Sequence, residues 1–388
     1  MEELIVPQGR FALARHPVRA NDPLRAWDAA DEYILRHVAA MPWTRSPDAA
    51  LLVVNDGSGA LATALAQHRP RSLSDSYLAH AATRANLARN RVDPAAVTLL
   101  THFDALPSAL DVVLLKVPKS LSLLEDQLHR LRPALRPDTV VIGAAMAKHV
   151  HTSTLDLFER IVGPTRTSLA EKKARLIVCE PSTALAPPRN PWPRTYLVPS
   201  SGEVITGHAG VFSPDHFDVG TRFFLEQLLA RYARAPIAGH VVDLGCGNGV
   251  VGTLTAMRNP GVTVTFLDES YRAVASAEAT FRANAGPDRA ARFAVGNNLF
   301  ELAAGEAIAR GSVDVILNNP PFHSEQSMGD ETAREMFVAS HAALRAGGEL
   351  WVVGNLHLAY EKHLKRVFGA CDTVAANGKF AVLRATRR

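Results

Sequence analysis

The run Val241-Val-Asp-Leu-Gly-Cys-Gly-Asn-Gly249 decides how the second half of this chain folds. A short apolar stretch ends in three glycines at alternate positions, and a stretch of helical character, Val250–Arg258, follows. Glycine enters left-handed backbone freely and lets the main chain pass close beneath a bound group. Strand, glycine turn and helix in that order open a βαβ unit. Asp268 follows Gly249 by 19 residues, at the end of a second apolar run, Val262–Leu267. That is where an acid grips ribose hydroxyls. Gly247-x-Gly249-x-x-Gly252 also meets the dinucleotide spacing, so these residues point to a nucleoside cofactor without saying which.

Outward from that run, strand and helix periods alternate. The first strand is His240–Leu244; after Val262–Leu267 come an alanine-rich helix, Tyr271–Asn284, and a third strand, Ala291–Val295. Val313–Leu317 reads as a fourth strand, Thr332–Leu344 as a helix stopped by Gly347-Gly348, and Glu349–Val353 as a fifth strand. The pattern predicts a parallel α/β sheet covered on both faces. Cys371–Ala375 and Lys379–Arg384 flank Asn377-Gly378, a strong hairpin signal because both central residues of a type I′ turn need positive φ. The expected sheet is seven-stranded, mostly parallel, and closed by an antiparallel hairpin.

The first half repeats the plan more faintly. Leu51-Leu-Val-Val-Asn-Asp-Gly-Ser-Gly59 parallels the glycine run, and Leu73-Ser-Asp-Ser-Tyr77 parallels Leu267-Asp-Glu-Ser-Tyr271. Leu110-Asp-Val-Val-Leu-Leu-Lys-Val-Pro118 parallels Val313-Asp-Val-Ile-Leu-Asn-Asn-Pro320. Three matches in one order predict an internal duplication. Between the halves, Ala186-Pro-Pro-Arg-Asn-Pro-Trp-Pro193 packs four prolines into eight residues, which excludes helix and central strand. Domains are therefore expected over 1–190 and 191–388.

Composition sets the outer bounds. The chain has 388 residues, 47% hydrophobic and 21% charged, which excludes disordered and fibrous classes. No window approaches the roughly 18 apolar residues of a membrane span, and the first ten residues lack the apolar core of a secretory signal. Three scattered cysteines predict a reduced, cytoplasmic protein without structural zinc. His208, His216 and the other histidines lack ligand spacing, so no metal is expected. Residues 1–200 hold 24 Lys and Arg against 19 Asp and Glu, the remainder 18 against 19. The positive surplus lies in the first half, where it can attract a polyanion.

Asn319-Pro320-Pro321-Phe322 begins as the fourth strand ends, at the carboxyl edge where open α/β sheets bind ligands. Consecutive prolines hold the neighbouring carbonyls in place. An Asn side-chain oxygen and a rigid carbonyl can accept both hydrogens of an NH₂ group, and the aromatic ring can stack on a planar base. Cys246, inside the glycine loop, reads as a packing residue, and His323 either touches the substrate or supports a residue that does. Ser153 with Asp156 three residues on reads as a helix N-cap.

The glycine loop, Asp268, Asn297-Asn298, the Asn-Pro-Pro-Phe tetrapeptide and the closing hairpin resemble, in order, the class I S-adenosylmethionine-dependent methyltransferases acting on planar NH₂ groups. More narrowly the chain resembles the bacterial ribosomal RNA guanine-N2 methyltransferases, nearest the 23S large-subunit enzyme, with the 16S enzymes sharing much of the pattern. The carrying runs are Asn21–Tyr33, Lys116-Val-Pro-Lys119, His151–Leu155, Val211-Phe-Ser213, Asp218–Phe224 and Asn319–His323.

The resemblance implies two tandem Rossmann-like domains, S-adenosylmethionine as cofactor and ribosomal RNA as partner, in a monomer without metal. It implies that Gly245, Gly247 and Gly249 pass beneath the cofactor's methionine end with Asp243 nearby, that Asp268 holds the ribose, and that Asn298 contacts the adenine. Phe212 and Thr221 would lie in a segment closing over the cofactor. Asn319 and Pro320 would hold the guanine amine, with Pro321 part of the same catalytic corner and Phe322 stacked on the flipped base. In the first half Lys116-Val-Pro-Lys119 replaces that tetrapeptide, and an ammonium only donates. That copy is expected to have lost catalysis and to offer Lys116, Lys119, Arg84 and Arg89, with Arg69, Arg71 and Arg91, to RNA phosphate. A nicotinamide-dependent oxidoreductase using the dinucleotide spacing, and a non-catalytic RNA-binding assembly factor, are the competing classes.

Overall fold

The computed structural model describes residues 3–19, 22, 24–45, 48–199, 201–305, 307–321 and 326–388. The chain divides into two compact units, Met1–Trp192 and Pro193–Arg388.

In the second unit the strands lie in the order Glu301–Leu302, Ala291–Asn298, Val262–Asp268, Gly239–Leu244, Val313–Asn318, Leu344–Asn355, Phe380–Thr386, Asp372–Ala376. The middle strands pair in parallel, and the last two run antiparallel. Among the described residues the count is eight rather than the expected seven, because the two residues Glu301–Leu302 fold back antiparallel on Ala291–Asn298. Alternate residues feed opposite faces. Val241, Phe266 and Val315 pack under the helices Val219–Arg234, Val250–Arg258 and Tyr271–Ala285, while Val242, Leu267 and Ile316 pack under Gln326–Ala343 and Tyr360–Phe368. Gly347 does not stop a helix. The helix ends at Ala343, and Gly347, at φ +74°, sits inside the strand Leu344–Asn355 where its register against Val313–Asn318 shifts.

The first unit orders its strands Thr98–Leu100, Arg71–Leu73, Leu51–Val54, Leu110–Lys116, Leu135–Met146, Ala174–Cys179, Thr165–Thr167. Its twelve-residue strand Leu135–Met146 and its counterpart Leu344–Asn355 share one burial pattern position by position. Gly59 and Gly249 each precede a helix at φ +73° and +76°. A Cβ at Gly59 would lie 2.7 Å from Thr83 Cα, and one at Gly249 2.6 Å from Ala277 Cα, so each glycine seats its helix against a neighbour.

Each unit also carries a hairpin that sequence patterning did not foresee, Glu3–Val6 with Gly9–Ala12 and Arg194–Leu197 with Val204–Gly207. The asparagines ending the alanine-rich helices hold these hairpins. Asn90 bonds the N–H and C=O of Ala12 at 2.9 and 2.8 Å, and Asn284 those of Val204 at 2.9 and 2.7 Å. Ser153 is not an N-cap: the helix Thr152–Ile161 starts behind His151 without a side-chain cap, leaving Ser153 in its first turn.

Candidate active site

Four strand ends meet at the carboxyl edge of the second sheet. Leu244 is paired with Leu267 on one side and Asn318 on the other, and Asp268 is paired with Val295. Parallel register therefore brings Asn298, Asp268, Gly245 and Asn319 out along one edge, over three strand spacings of about 4.8 Å each. A Cβ at Gly245 would stand 3.4 Å from Met336 Cε and 3.9 Å from the Asn319 carbonyl oxygen, so the loop and the Asn-Pro-Pro corner adjoin.

Gly245, Gly247 and Gly249 all have positive φ, at +71°, +53° and +76°. At Gly247 a Cβ would meet nothing within 4 Å, so this glycine faces open space. Gly245 and Cys246 donate their N–H groups to Leu267 O, and Gly247 N donates to Asp268 Oδ2 at 3.0 Å. The Asp268 carboxylate also accepts from Ser270 N at 3.0 Å. Burial raises its pKa against the pull of those N–H donors. The Glu269 N–H also bonds this carboxylate, so of its roughly four lone-pair sites one is left for a hydroxyl.

Asp243 is buried and accepts the Gly252 N–H at 2.8 Å, in the first turn of Val250–Arg258. Burial pushes its carboxyl up to about 7, opposed by the Gly252 N–H and assisted by Asp268. This carboxyl holds the helix N-terminus that a pyrophosphate would need. A Cβ at Gly252 would lie 2.5 Å from Phe266 Cε1, so the third glycine of the dinucleotide spacing serves packing.

Asn248 ties the glycine loop to the preceding segment, donating through Nδ2 to Tyr196 OH at 3.2 Å and Ser213 O at 3.3 Å. Phe212, next to Ser213, is 43% exposed. Asn298 accepts from Phe300 N through Oδ1 at 2.8 Å, which leaves its amide nitrogen to donate. Cys246 is buried, and burial carries its thiol well above the ordinary value, so it packs rather than reacts.

The Asn319 side chain donates through Nδ2 to Thr221 Oγ1 at 3.1 Å, and its Oδ1 is buried with no partner among the described residues. Thr221, expected in the segment closing over the cofactor, meets Asn319 Nδ2 and Asp218 Oδ2 with its hydroxyl, at 3.1 Å each. The spacing of an N-cap acid, Asp218, three residues before a hydroxyl was the available signal for this contact. Pro320 is buried and Pro321 exposed, while Phe322 and His323 lie outside the described residues.

The first unit handles the same positions differently. Val54 is opposite Leu115 as Leu244 is opposite Asn318, so Lys116 stands where Asn319 stands. Lys116 was expected to face RNA. Its Nζ instead bonds Asp28 at 2.6 Å and Asp31 at 2.8 Å, with only 15% of the side chain exposed. Burial opposes its charge, but the two carboxylates outweigh burial and raise its pKa. Asn55 takes the place of Gly245 at φ +61°, and exchanges amide hydrogen bonds with Gln127 at 2.9 and 2.7 Å. The Asn55 amide also donates to Lys116 O at 2.9 Å, so side chains fill this edge. Arg89 donates to the Asn86 side chain, while Lys119 and Arg84 are exposed.

A glycine-floored strand exit, an acid ending the next strand and a rigid Asn-Pro-Pro corner beside them define a class I S-adenosylmethionine-dependent methyltransferase. The RLMG N-terminal domain model matches residues 1–183, and the methyltransferase small domain model matches residues 203–384. Ribosomal RNA large subunit methyltransferase G of Streptomyces avermitilis is 54% identical, with all of both chains covered. That of Aeromonas salmonicida is 47% identical over 98% of this chain and 97% of its own. The chain belongs to the ribosomal RNA large subunit methyltransferase G family. Among solved structures, the T. thermophilus 16S rRNA N2 G1207 methyltransferase in complex with AdoMet and guanosine shares the fold, with a TM-score of 0.76 at 23% identity, covering 100% of this chain and 98% of that one. No helix among the described residues is long and apolar enough to cross a membrane, and no group of three or more His, Cys, Asp or Glu there could hold a metal.

Proposed function

We propose that the protein methylates the exocyclic N2 of a guanine in 23S ribosomal RNA, using S-adenosylmethionine, as a cytoplasmic monomer. The observation that carries this is the buried Oδ1 of Asn319, which has no partner among the described residues, at the strand exit beside the glycine loop. An acceptor so placed suits an amino group, and the names of the relatives supply the RNA.

The cofactor, when bound, supplies a methyl group on a sulfonium. Open space above Gly247 and the remaining lone pair of Asp268 suit the methionine end and the ribose, with Gly245 and Gly249 shaping the loop and Asp243 fixing its helix. Asn298 would donate to the adenine, and Phe212 would cover the site. Asn319 and the Pro320 carbonyl would orient the amine, Pro321 would stiffen the corner, and Phe322, outside the described residues, is the expected stacking partner of the base. An aryl amine is a weak nucleophile, so holding its lone pair on line is where rate is gained. Proton loss can follow transfer, and no strong base is required.

We assign catalysis to residues 191–388 and RNA recognition to residues 1–190, as two copies of one ancestral domain. Matching strand order, matching glycine N-caps and matching Asn-to-hairpin bonds support the duplication. The exposed Lys119 and Arg84 remain candidates for phosphate contact.

Mass mapping of methylated guanines in both large- and small-subunit RNA from a deletion strain, before and after adding purified protein, tests the assignment. One 23S guanine should regain N2-methylation. Methylation confined to 16S RNA, or none at all, would refute it.

A further inference from the structure

We propose that Thr221 and Asp218 form a hydroxyl relay that fixes which end of the Asn319 amide faces the site, making Thr221 a positioning residue for amine selection. The relay rests on the guanine-amine assignment above and supplies what that assignment lacks. An asparagine amide has an accepting end and a donating end of nearly equal size. Shape alone does not choose between them.

Thr221 makes the choice through its single proton. Its Oγ1 lies 3.1 Å from Asp218 Oδ2 and 3.1 Å from Asn319 Nδ2. A carboxylate only accepts, so the threonine proton goes to Asp218 and a lone pair is left toward the amide. Only the NH₂ end of Asn319 can meet a lone pair, and Oδ1 must turn outward, where it has no partner among the described residues. Asp218 is held in turn. It caps the helix Val219–Arg234 by accepting Thr221 N at 2.8 Å, and turning away would uncap that helix. A carbonyl presented at this point would set oxygen against oxygen, whereas an amino group would satisfy the buried acceptor.

The first unit provides an independent contrast. Asp31 stands three residues beyond the N-cap Asp28, as Thr221 does beyond Asp218, and it binds Lys116 at 2.8 Å where Thr221 binds Asn319. There the two side chains satisfy one another, and an ammonium turns no acceptor outward. The residue three beyond the cap thus determines what the strand exit offers in both units.

The test uses the full-length protein with Thr221→Val, which keeps the shape and removes the hydroxyl, and Thr221→Ser, which keeps the hydroxyl. Methyl transfer to unmethylated 23S RNA and calorimetric binding of S-adenosylhomocysteine are measured together. The valine variant should lose about 30- to 100-fold in kcat, with RNA KM and S-adenosylhomocysteine affinity within about twofold, and serine should restore kcat to within about threefold. Unchanged kcat in the valine variant would overturn the relay. Equal losses in both variants would also overturn it, by showing that the methyl group matters. Lost S-adenosylhomocysteine binding in the valine variant would overturn it by placing Thr221 in the cofactor pocket or in the fold. Wild-type protein that binds S-adenosylhomocysteine yet methylates no RNA would overturn the guanine-amine assignment, and the relay with it.

Discussion

Asn319 holds a side-chain oxygen in a place where leaving it unbonded costs about 1–3 kcal/mol. Under the proposed assignment a ligand NH₂ would recover that cost on reaching the aligned position, so the contact would act mainly on kcat. Asn319→Ala should lower kcat by about 100-fold or more while calorimetry shows S-adenosylhomocysteine bound as before. Retained turnover would mean that the amine is held elsewhere. Asp268 is the comparison at the other end of the edge. Asp268→Ala removes both the proposed ribose acceptor and the anchor of Gly247 N, so cofactor affinity should fall first, with kcat at saturation less affected.

Within the glycine turn, the three glycines differ in what forbids a side chain. At Gly249 an added Cβ meets Ala277 Cα at 2.6 Å, backbone of another helix that cannot yield cheaply. At Gly247 it meets nothing within 4 Å. Gly249→Ala should therefore destabilise the second unit by about 2 kcal/mol or more, adding steric conflict to left-handed strain. Gly247→Ala should cost about 1–2 kcal/mol and keep the fold, yet weaken S-adenosylhomocysteine binding because the new methyl enters the space above the loop. Urea unfolding and calorimetry on both variants separate the effects. Equal stability losses would mean that Gly249 is not the packing glycine.

Across the whole molecule, one scaffold serves two ends according to what fills its strand exits. The first unit fills them with charge, and that charge has a thermodynamic signature. Lys116→Met strips the buried Asp31 of its partner and should cost about 3–5 kcal/mol. Adding Asp31→Thr to Lys116→Asn installs the second unit's neutral pair and should recover most of the loss. Asp56 is the other marker. Burial, with the Asp31 charge behind it, pushes its carboxyl from 3.8 to about 7. Between those values the folded state binds a proton that the unfolded state has released, so Asp56 lowers stability progressively as pH rises, and fully above pH 7. Wild type should lose about 2–4 kcal/mol relative to Asp56→Asn between about pH 4 and pH 8. Parallel pH profiles would show that Asp56 titrates normally. On the surface, replacing Arg84 and Lys119 by Gln should reduce the slope of log RNA affinity against log salt by about one for each phosphate these side chains neutralise. An unchanged slope would take RNA recognition away from these residues.

What the sequence determined by itself was local. Glycines at alternate positions, alternating apolar runs and Asn377-Gly378 mark strands and turns through φ, ψ and burial period, properties that neighbouring residues set. The strand Val262–Asp268, the helix Val250–Arg258 and the closing hairpin were legible for that reason. The two leading hairpins were not, because their strands are four residues each and are held by Asn90 and Asn284, about eighty positions away. Tertiary structure alone decided which way Lys116 turns and what Thr221 touches. Two carboxylates on a helix far back in the chain draw the lysine inward, and a helix cap aims the threonine at Asn319. Charge and hydrogen-bond direction act over a few ångströms in space, whatever the separation in sequence.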